Sequence, residues 1–438
     1  MDSAFKDCFL TPSARPDPEE AGPIPTAVFN GLPLPESPAP AAARFGLLCG
    51  GFPPRIDGIG DYTWRLSREL AQQGCPVQVL TSEARLEAGD ALPRSLDATA
   101  AGLESAGITV TRCFDPDRPA TLRSLADHLA PDLDWLVVQY NPFGFGPRGF
   151  NPWLIEALTA IRRRSRTCIA VMFHETYVPA WPWKFTVMRL WQWPQFLALT
   201  RLAHAIFVSS ERWIGQVHAC TPRAVCIHLP VGSNLPCCPF SKAEARQRLG
   251  IDPETKVLGA FGSGHVSKLS RLVRVAAEAV QRRFPDTILL SVGKGGRTLR
   301  AECPELNLRD EGPLPPEEAA LRIRAMDVML GPFADGLSTR RGSAITALQH
   351  GVPVCSTVTR WTDGLLVDPP WAGIKLCAPN QPHVYAQNAL DLIAQPPSAE
   401  EIRQRHDAVF GWPNVTARLL AFLDPQVKRS TDYTDYTD

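Results

Sequence analysis

The chain has 438 residues, more than one compact core accommodates, so two domains plus tails are expected. Lys plus Arg and Asp plus Glu each number 45, which leaves no global field to attract nucleic acid, and any anion site must be local. A hydrophobic content of 45% excludes a mainly disordered chain, and no apolar run reaches the roughly 18 residues of a spanning helix.

The N-terminus has no basic head and apolar core, so no secretory signal is expected. Residues 11–40 hold nine of the 42 prolines, and residues 1–43 are expected to be a disordered arm. Short β-rich runs then alternate with helical stretches. The spacing predicts strands over 44–49, 76–81, 108–114, 135–140, 167–173, 205–209 and 224–229. Helices are predicted over 61–73, 120–129, 152–164 and 184–203. Such alternation predicts a parallel, doubly wound α/β sheet with helices on both faces.

Around 232–240 the chain turns rich in Pro, Gly, Ser and Asn, as a linker does, and the pattern restarts. Strands are predicted over 256–262, 287–292, 327–332 and 354–358, with helices over 268–284, 316–326 and 343–350. The expected domains are 44–232 and 241–400, Rossmann-like, with a ligand cleft between them. A helix over 401–424 and a disordered tail over 425–438 complete the chain. The 12 cysteines form no CxxC pair, and Cys49, Cys168, Cys226, Cys355 and Cys377 lie in apolar runs, as reduced thiols of a cytoplasmic protein do. Cys237-Cys238 sits in the linker, where neighbouring thiols are more often inert than metal-binding, and no spacing supports zinc.

Three stretches carry anion chemistry. The richest is GPFADGLSTRRGSAITALQHGVPV, 331–354, where Arg340 and Arg341 precede Gly342 and Ser343 at a predicted helix start. A helix N-terminus offers unpaired N–H groups and a positive dipole end, and two guanidinium groups beside it suit a diphosphate. In FGLLCGGFPPRIDGIGDYTWRLSRELAQQG, 45–74, Gly58 and Gly60 allow close backbone approach and Asp61 can cap the helix. This is not GxGxxG, so a nicotinamide or flavin site is poorly supported. In VLGAFGSGHVSKLSRLVRVAAEAV, 257–280, Gly262, Gly264 and Lys268 stand between a strand and a helix, and the lysine can reach a phosphate. Each stretch alone also reads as an ordinary turn or a solvated helix start.

Together, in this order, they resemble the GT-B nucleotide-sugar glycosyltransferases, and most nearly the large retaining group numbered family 4. The resemblance spans about residues 44–424. It implies that the Gly58–Gly60 loop faces the donor sugar phosphate and that Lys268 contacts the diphosphate. The family's late loop reads E-G-x-G-x-P, then a helix with a second Glu, then G-x-P-V, which Gly351-Val352-Pro353-Val354 matches. The middle departs: the loop is about three residues longer, Asp335 takes the first Glu's place, and Thr346 the second's. Ser263 stands where many members carry an arginine, and Arg340 or Arg341 is expected to supply that charge. Asp335, Gly336, Ser338, Gly342 and Ser343 are then expected around the donor.

His174 ends the strand of VMFHETYVP, where the family often has a histidine facing the donor sugar; the alternative is an ordinary polar strand end. VFGWPNVTARLLAFL, 409–423, resembles the family's final helix, which packs back on the first domain. AWPWKFTVMRLWQWPQF, 180–196, holds four of the 11 tryptophans with Lys184 and Arg189, which suits either a membrane surface or core packing. Asp115-Pro116-Asp117 and Asp132-Leu133-Asp134 mimic the metal-binding DxD of another transferase fold, and solvated loops are expected there.

The resemblance implies a retaining glycosyltransferase, of hexosyltransferase type, moving a sugar from a nucleoside diphosphate sugar to an acceptor hydroxyl. Glycan, glycolipid or exopolysaccharide synthesis is the expected setting. No cofactor or metal is expected, and the partners are the donor, a glycan or lipid-linked acceptor and a peripheral membrane surface. The alternatives are a catalytically silent GT-B binding protein and a nucleotide-sugar epimerase. A phosphorylase is disfavoured, because nothing resembles a pyridoxal-phosphate lysine site.

Overall fold

The computed structural model describes residues 43–423, apart from Ile56, 84–106, 180–182, Ser263, 265–266 and Cys303. The expected arm and tail, with Ser263 and Trp181, lie outside the described residues. The chain divides into two units. Among the described residues one comprises 43–230 with 412–423, and the other 231–411.

The first unit is built on a seven-stranded sheet in the order β3-β2-β1-β4-β5-β6-β7. The strands are β1 (Phe45–Cys49), β2 (Val77–Ser82), β3 (Ile108–Phe114), β4 (Trp135–Tyr140), β5 (Cys168–Phe173), β6 (Ala205–Val208) and β7 (Cys226–His228). Every pairing is parallel. Helices α1 (Gly58–Gln72), α2 (Pro152–Arg164), α3 (Trp183–Leu202) and α4 (Arg212–Cys220), with a 3-10 segment over Pro119–His128, supply the crossovers. Residues such as Leu48, Val138, Val171 and Phe173 are fully buried, which is why these strands read as unbroken apolar runs.

The second unit carries a six-stranded sheet, β10-β9-β8-β11-β12-β13. Its strands are β8 (Val257–Phe261), β9 (Ile288–Val292), β10 (Leu308–Asp310), β11 (Val328–Gly331), β12 (Val354–Thr357) and β13 (Ile374–Cys377). Its helices are α5 (Lys242–Arg248), α6 (Ser270–Arg283), α7 (Gly296–Glu302), α8 (Pro316–Arg324), α9 (Gly342–Gln349), α10 (Pro382–Ala394) and α11 (Ala399–Phe410). This sheet too is parallel throughout. In both sheets the strand order reverses beside the first strand, between β1 and β4 and between β8 and β11, where open α/β sheets hold ligands.

The helix expected over 401–424 is two helices, broken at Gly411. α11 stays with the second unit, while α12 (Trp412–Leu423) joins the first and packs on α1. A side chain at Gly411 would press into the Asp407 carbonyl, so the chain can turn tightly only with glycine there. The DxD look-alikes are local braces. Asp115 accepts from the Asp117 N–H and pairs with Arg118, while Asp134 accepts from the Arg44 N–H and Asp132 pairs with the Arg44 side chain.

Candidate functional site

In the second unit the residues after β8 and those after β11 run against each other. Leu269 N–H donates to the Pro332 carbonyl (3.0 Å) and Ala334 N–H to the Ser267 carbonyl (2.8 Å), with Lys268 bridged to Phe333 between them. This pairing carries Lys268 to the arginines of the later loop. The lysine ammonium donates to the Phe261 carbonyl, and a Cβ on Gly262 would come within 3.2 Å of it. Burial, and secondarily the Arg341 charge, push the Lys268 pKa down to about 8.

The late loop is held from below. Asp363, buried, accepts from both the N–H and the hydroxyl of Thr339 at 2.7 Å. Thr359 donates to the Asp335 carbonyl (2.8 Å), and Leu337 N–H to the Thr357 carbonyl (2.8 Å). Gly336 has φ +80°, and a Cβ there would meet Thr362 and Thr359, so glycine is demanded by the fold itself. Ser338 is buried and its hydroxyl oxygen finds no hydrogen-bond partner among the described residues.

On this frame Asp335 receives both arginines, Arg340 at 3.0 Å on one oxygen and Arg341 on the other. Arg341 also reaches the Ser267 hydroxyl (3.3 Å), and its guanidinium lies over the Phe333 ring at 4.3 Å. Two arginines thus share one carboxylate, while the Lys268 ammonium is held by the Phe261 carbonyl. The arginines are preset rather than waiting in solvent, and Asp335 faces them rather than standing alone as a sugar ligand. α9 starts at Gly342 with Arg341 as its N-cap and no side-chain cap; the Gly342 N–H donates to the Arg340 carbonyl (3.1 Å) and the Ala344 N–H to the Arg341 carbonyl (2.9 Å). A Cβ on Gly342 would meet nothing within 4 Å. Thr346, in the second Glu's place, is buried and its hydroxyl is shared with Ser233 at 2.9 Å.

A cavity of about 660 Å³ adjoins this cluster at the ends of β8 and β9, lined by Gly262, Gly264 and Lys268 and by residues of α6 and α7. Gly264 (φ +70°) and Gly295 lie close enough that a Cβ on Gly264 would come within 2.8 Å of the Gly295 Cα. The glycines after β9, in GKGG over 293–296 ahead of α7, are a further glycine signal outside the three stretches above. Asp363 and Phe333 had no such signal.

In the first unit Gly58 opens α1, but Asp57, not Asp61, caps it, accepting from the N–H groups of Ile59 (2.7 Å) and Gly60 (2.9 Å). The helix begins three residues sooner than expected because the Asp57 carboxylate satisfies its first N–H groups. A Cβ on Gly60 would lie 2.6 Å from the Gly51 carbonyl, whereas one on Gly58 would meet nothing. His174 is buried at the end of β5. Its Nε2 lies 2.8 Å from Gln139 Oε1, and the Tyr62 ring of α1 meets it edge-on at 4.9 Å. Burial pushes its pKa down to about 3, so it is neutral at physiological pH. The predicted residues therefore gather in two clusters, Gly58, Gly60 and His174 on one unit, and the glycine, lysine and arginine group on the other.

No protein-family model matches the chain, and no curated protein matches it. Solved structures do. Sucrose-phosphate synthase from Thermosynechococcus elongatus aligns with a TM-score of 0.66 at 18% identity, over 89% of this chain and 100% of that one. Anabaena HepE, solved with UDP and glucose, aligns at 0.62 and 13% identity over 89% and 100%. WaaG, a glycosyltransferase involved in lipopolysaccharide biosynthesis, aligns at 0.57 and 15% identity over 86% and 99%. The chain has the GT-B fold, two doubly wound α/β units in series.

Proposed function

We propose that this protein is a retaining glycosyltransferase, moving a sugar from a nucleoside diphosphate sugar to an acceptor hydroxyl in glycan, glycolipid or exopolysaccharide synthesis. One observation carries the reading: Lys268, Arg340 and Arg341 converge on a glycine loop and a helix start beside the β8/β11 reversal. Departure of a nucleoside diphosphate leaves charge on its phosphate oxygens, and preset cations and N–H groups stabilise that charge as it develops. The UDP held by HepE is a ligand of this class.

In this account the diphosphate lies against Lys268, the Arg340–Arg341 pair and the start of α9 at Gly342 and Ser343, where the Ser343 N–H is the donor. Gly262 and Gly264 keep the backbone low enough for it. Gly58 and Gly60, at the start of α1, are the residues proposed for the sugar phosphate. His174, with Nε2–H donated to Gln139, offers the donor sugar a neutral hydrogen-bonding imidazole rather than a proton. The acceptor attacks from the leaving-group face, and the departing phosphate takes its proton, so cationic side chains stand where another transferase uses a metal. Acceptor-dependent release of nucleoside diphosphate tests the assignment. Release of free diphosphate with an altered sugar and no acceptor would indicate an epimerase, and binding without turnover a silent protein.

A membrane-facing acceptor is part of the proposal. On α3, Trp183, Val187, Leu190 and Trp193 recur at helical spacing, and all are exposed, Leu190 by 74%. An exposed apolar stripe on a helix flanked by Lys184 is the pattern of an interfacial helix. Exposed Arg162, Arg163, Arg164 and Arg166 follow on α2 and beyond it, and Arg162 donates to the Leu202 carbonyl (2.7 Å) at the end of α3. Among the described residues no helix is long and apolar enough to cross a membrane. Flotation with anionic vesicles should carry the protein upward, and Trp183→Ser with Leu190→Ser should leave it at the bottom. Failure of the unaltered protein to float would exclude membrane contact.

A further inference from the structure

The carboxylate positions of the late loop are used up in this chain. Asp335 meets two arginines, and Thr346 replaces a glutamate with a buried, paired hydroxyl. A ribonucleotide still presents two hydroxyl donors, and an ionised carboxylate, which only accepts, is the group that matches them. Among the described residues lining the 660 Å³ cavity, the charged ones are Lys268, Arg297 and Glu302. Glu302 is the carboxylate. It ends α7, and Ser270, the first residue of α6, donates its hydroxyl to Glu302 Oε2, which fixes the carboxylate between two helices. The remaining wall is largely apolar, with Ala260, Val273, Val292 and Leu330 contributing. A volume of this size with apolar walls and a few convergent polar groups is that of a small-molecule site.

We propose that Glu302, oriented by Ser270, binds the ribose hydroxyls of the donor nucleotide, with its base against the apolar wall and its diphosphate at Lys268. The assignment rests on the nucleotide-sugar reading above and deepens it: the substrate class becomes ribonucleoside, not 2′-deoxyribonucleoside, diphosphate sugars. It also makes Glu302 a binding residue rather than a brace between helices.

The test is calorimetric titration of the intact protein with UDP, GDP, ADP and CDP, each beside its 2′-deoxy counterpart, and with inorganic pyrophosphate. The best ribonucleotide binds about 10- to 100-fold tighter than its deoxy form, the range for a hydrogen bond to a charged group. In Glu302→Gln, whose amide oxygen still accepts from Ser270, that preference disappears while pyrophosphate affinity is unchanged. Ser270→Ala, which frees the carboxylate without removing it, reduces the preference part of the way. Equal binding of ribo and deoxy forms by the unaltered protein, or a preference kept in Glu302→Gln, overturns the assignment and leaves the transferase reading standing. No nucleoside diphosphate binding at all removes that reading, and this assignment with it.

Discussion

Replacing Lys268 by methionine should make the protein more stable and less able to bind a donor. Burial, with Arg341 nearby, takes the lysine pKa from its ordinary 10.5 to about 8. At about 1.4 kcal/mol per pH unit, holding it charged at pH 7 costs about 3 kcal/mol. Methionine keeps most of the stem's volume but leaves the Phe261 carbonyl without its donor, a loss of about 1–2 kcal/mol. The net gain at pH 7 is therefore about 1–2 kcal/mol, or roughly 3–6 °C in melting temperature for a unit of this size. The pH dependence carries the argument. With the folded pKa below the unfolded one, the unfolded chain binds the extra proton, so the wild-type cost is full below about 8 and fades as pH rises toward 10.5. Urea unfolding of both proteins at pH 7 and pH 10 should show the methionine variant ahead at the lower value and behind at the higher. The same difference at both pH values would refute a stored charge. The variant should also lose most affinity for a diphosphate, since that ligand is what relieves the cost.

Gly342→Ala introduces a Cβ that meets nothing within 4 Å, so stability should hold or rise by about 0.4–1 kcal/mol. Binding of a nucleoside diphosphate should fall, because the methyl group would occupy the space above the helix start; unchanged affinity would place the phosphate elsewhere. In acid, His174 and His350, whose pKa values burial pushes down to about 3 and about 4, should cost the protein stability as pH falls below about 6.5, where the unfolded chain takes up protons that the folded one refuses. Unfolding scans between pH 7 and 4.5 should show this decline, shallower in His350→Gln. For the same reason the pH profile of turnover between 5 and 8 should carry no inflection from His174.

The strands were legible because burial on both faces makes a parallel strand an unbroken apolar run. β10 (Leu308–Asp310) and β13 (Ile374–Cys377) escaped notice because both are edge strands with half-buried polar residues. α7 (Gly296–Glu302) was hidden by its glycine start and shortness, and with it Glu302. Lys268, Gly262, Gly264 and the arginine pair could be singled out because each stands in chain order at a strand end. What the order does not contain is the folding of the late loop. Asp363 lies 24 residues from Thr339, yet it fixes the turn that delivers Arg340 and Arg341 to Asp335. An ion pair made by loop geometry has no period to betray it.

Thermal unfolding with UDP, GDP, ADP, TDP and CDP, in the wild type and in the protein carrying both Arg340→Ala and Arg341→Ala, tests the account most directly. A ligand that binds the folded state alone raises the melting temperature. The account predicts a rise with at least one of these diphosphates, lost in the double variant while the unliganded protein still unfolds cooperatively. No rise with any of them, or a rise that survives removal of both arginines, would contradict the assignment of this cluster as a donor diphosphate site.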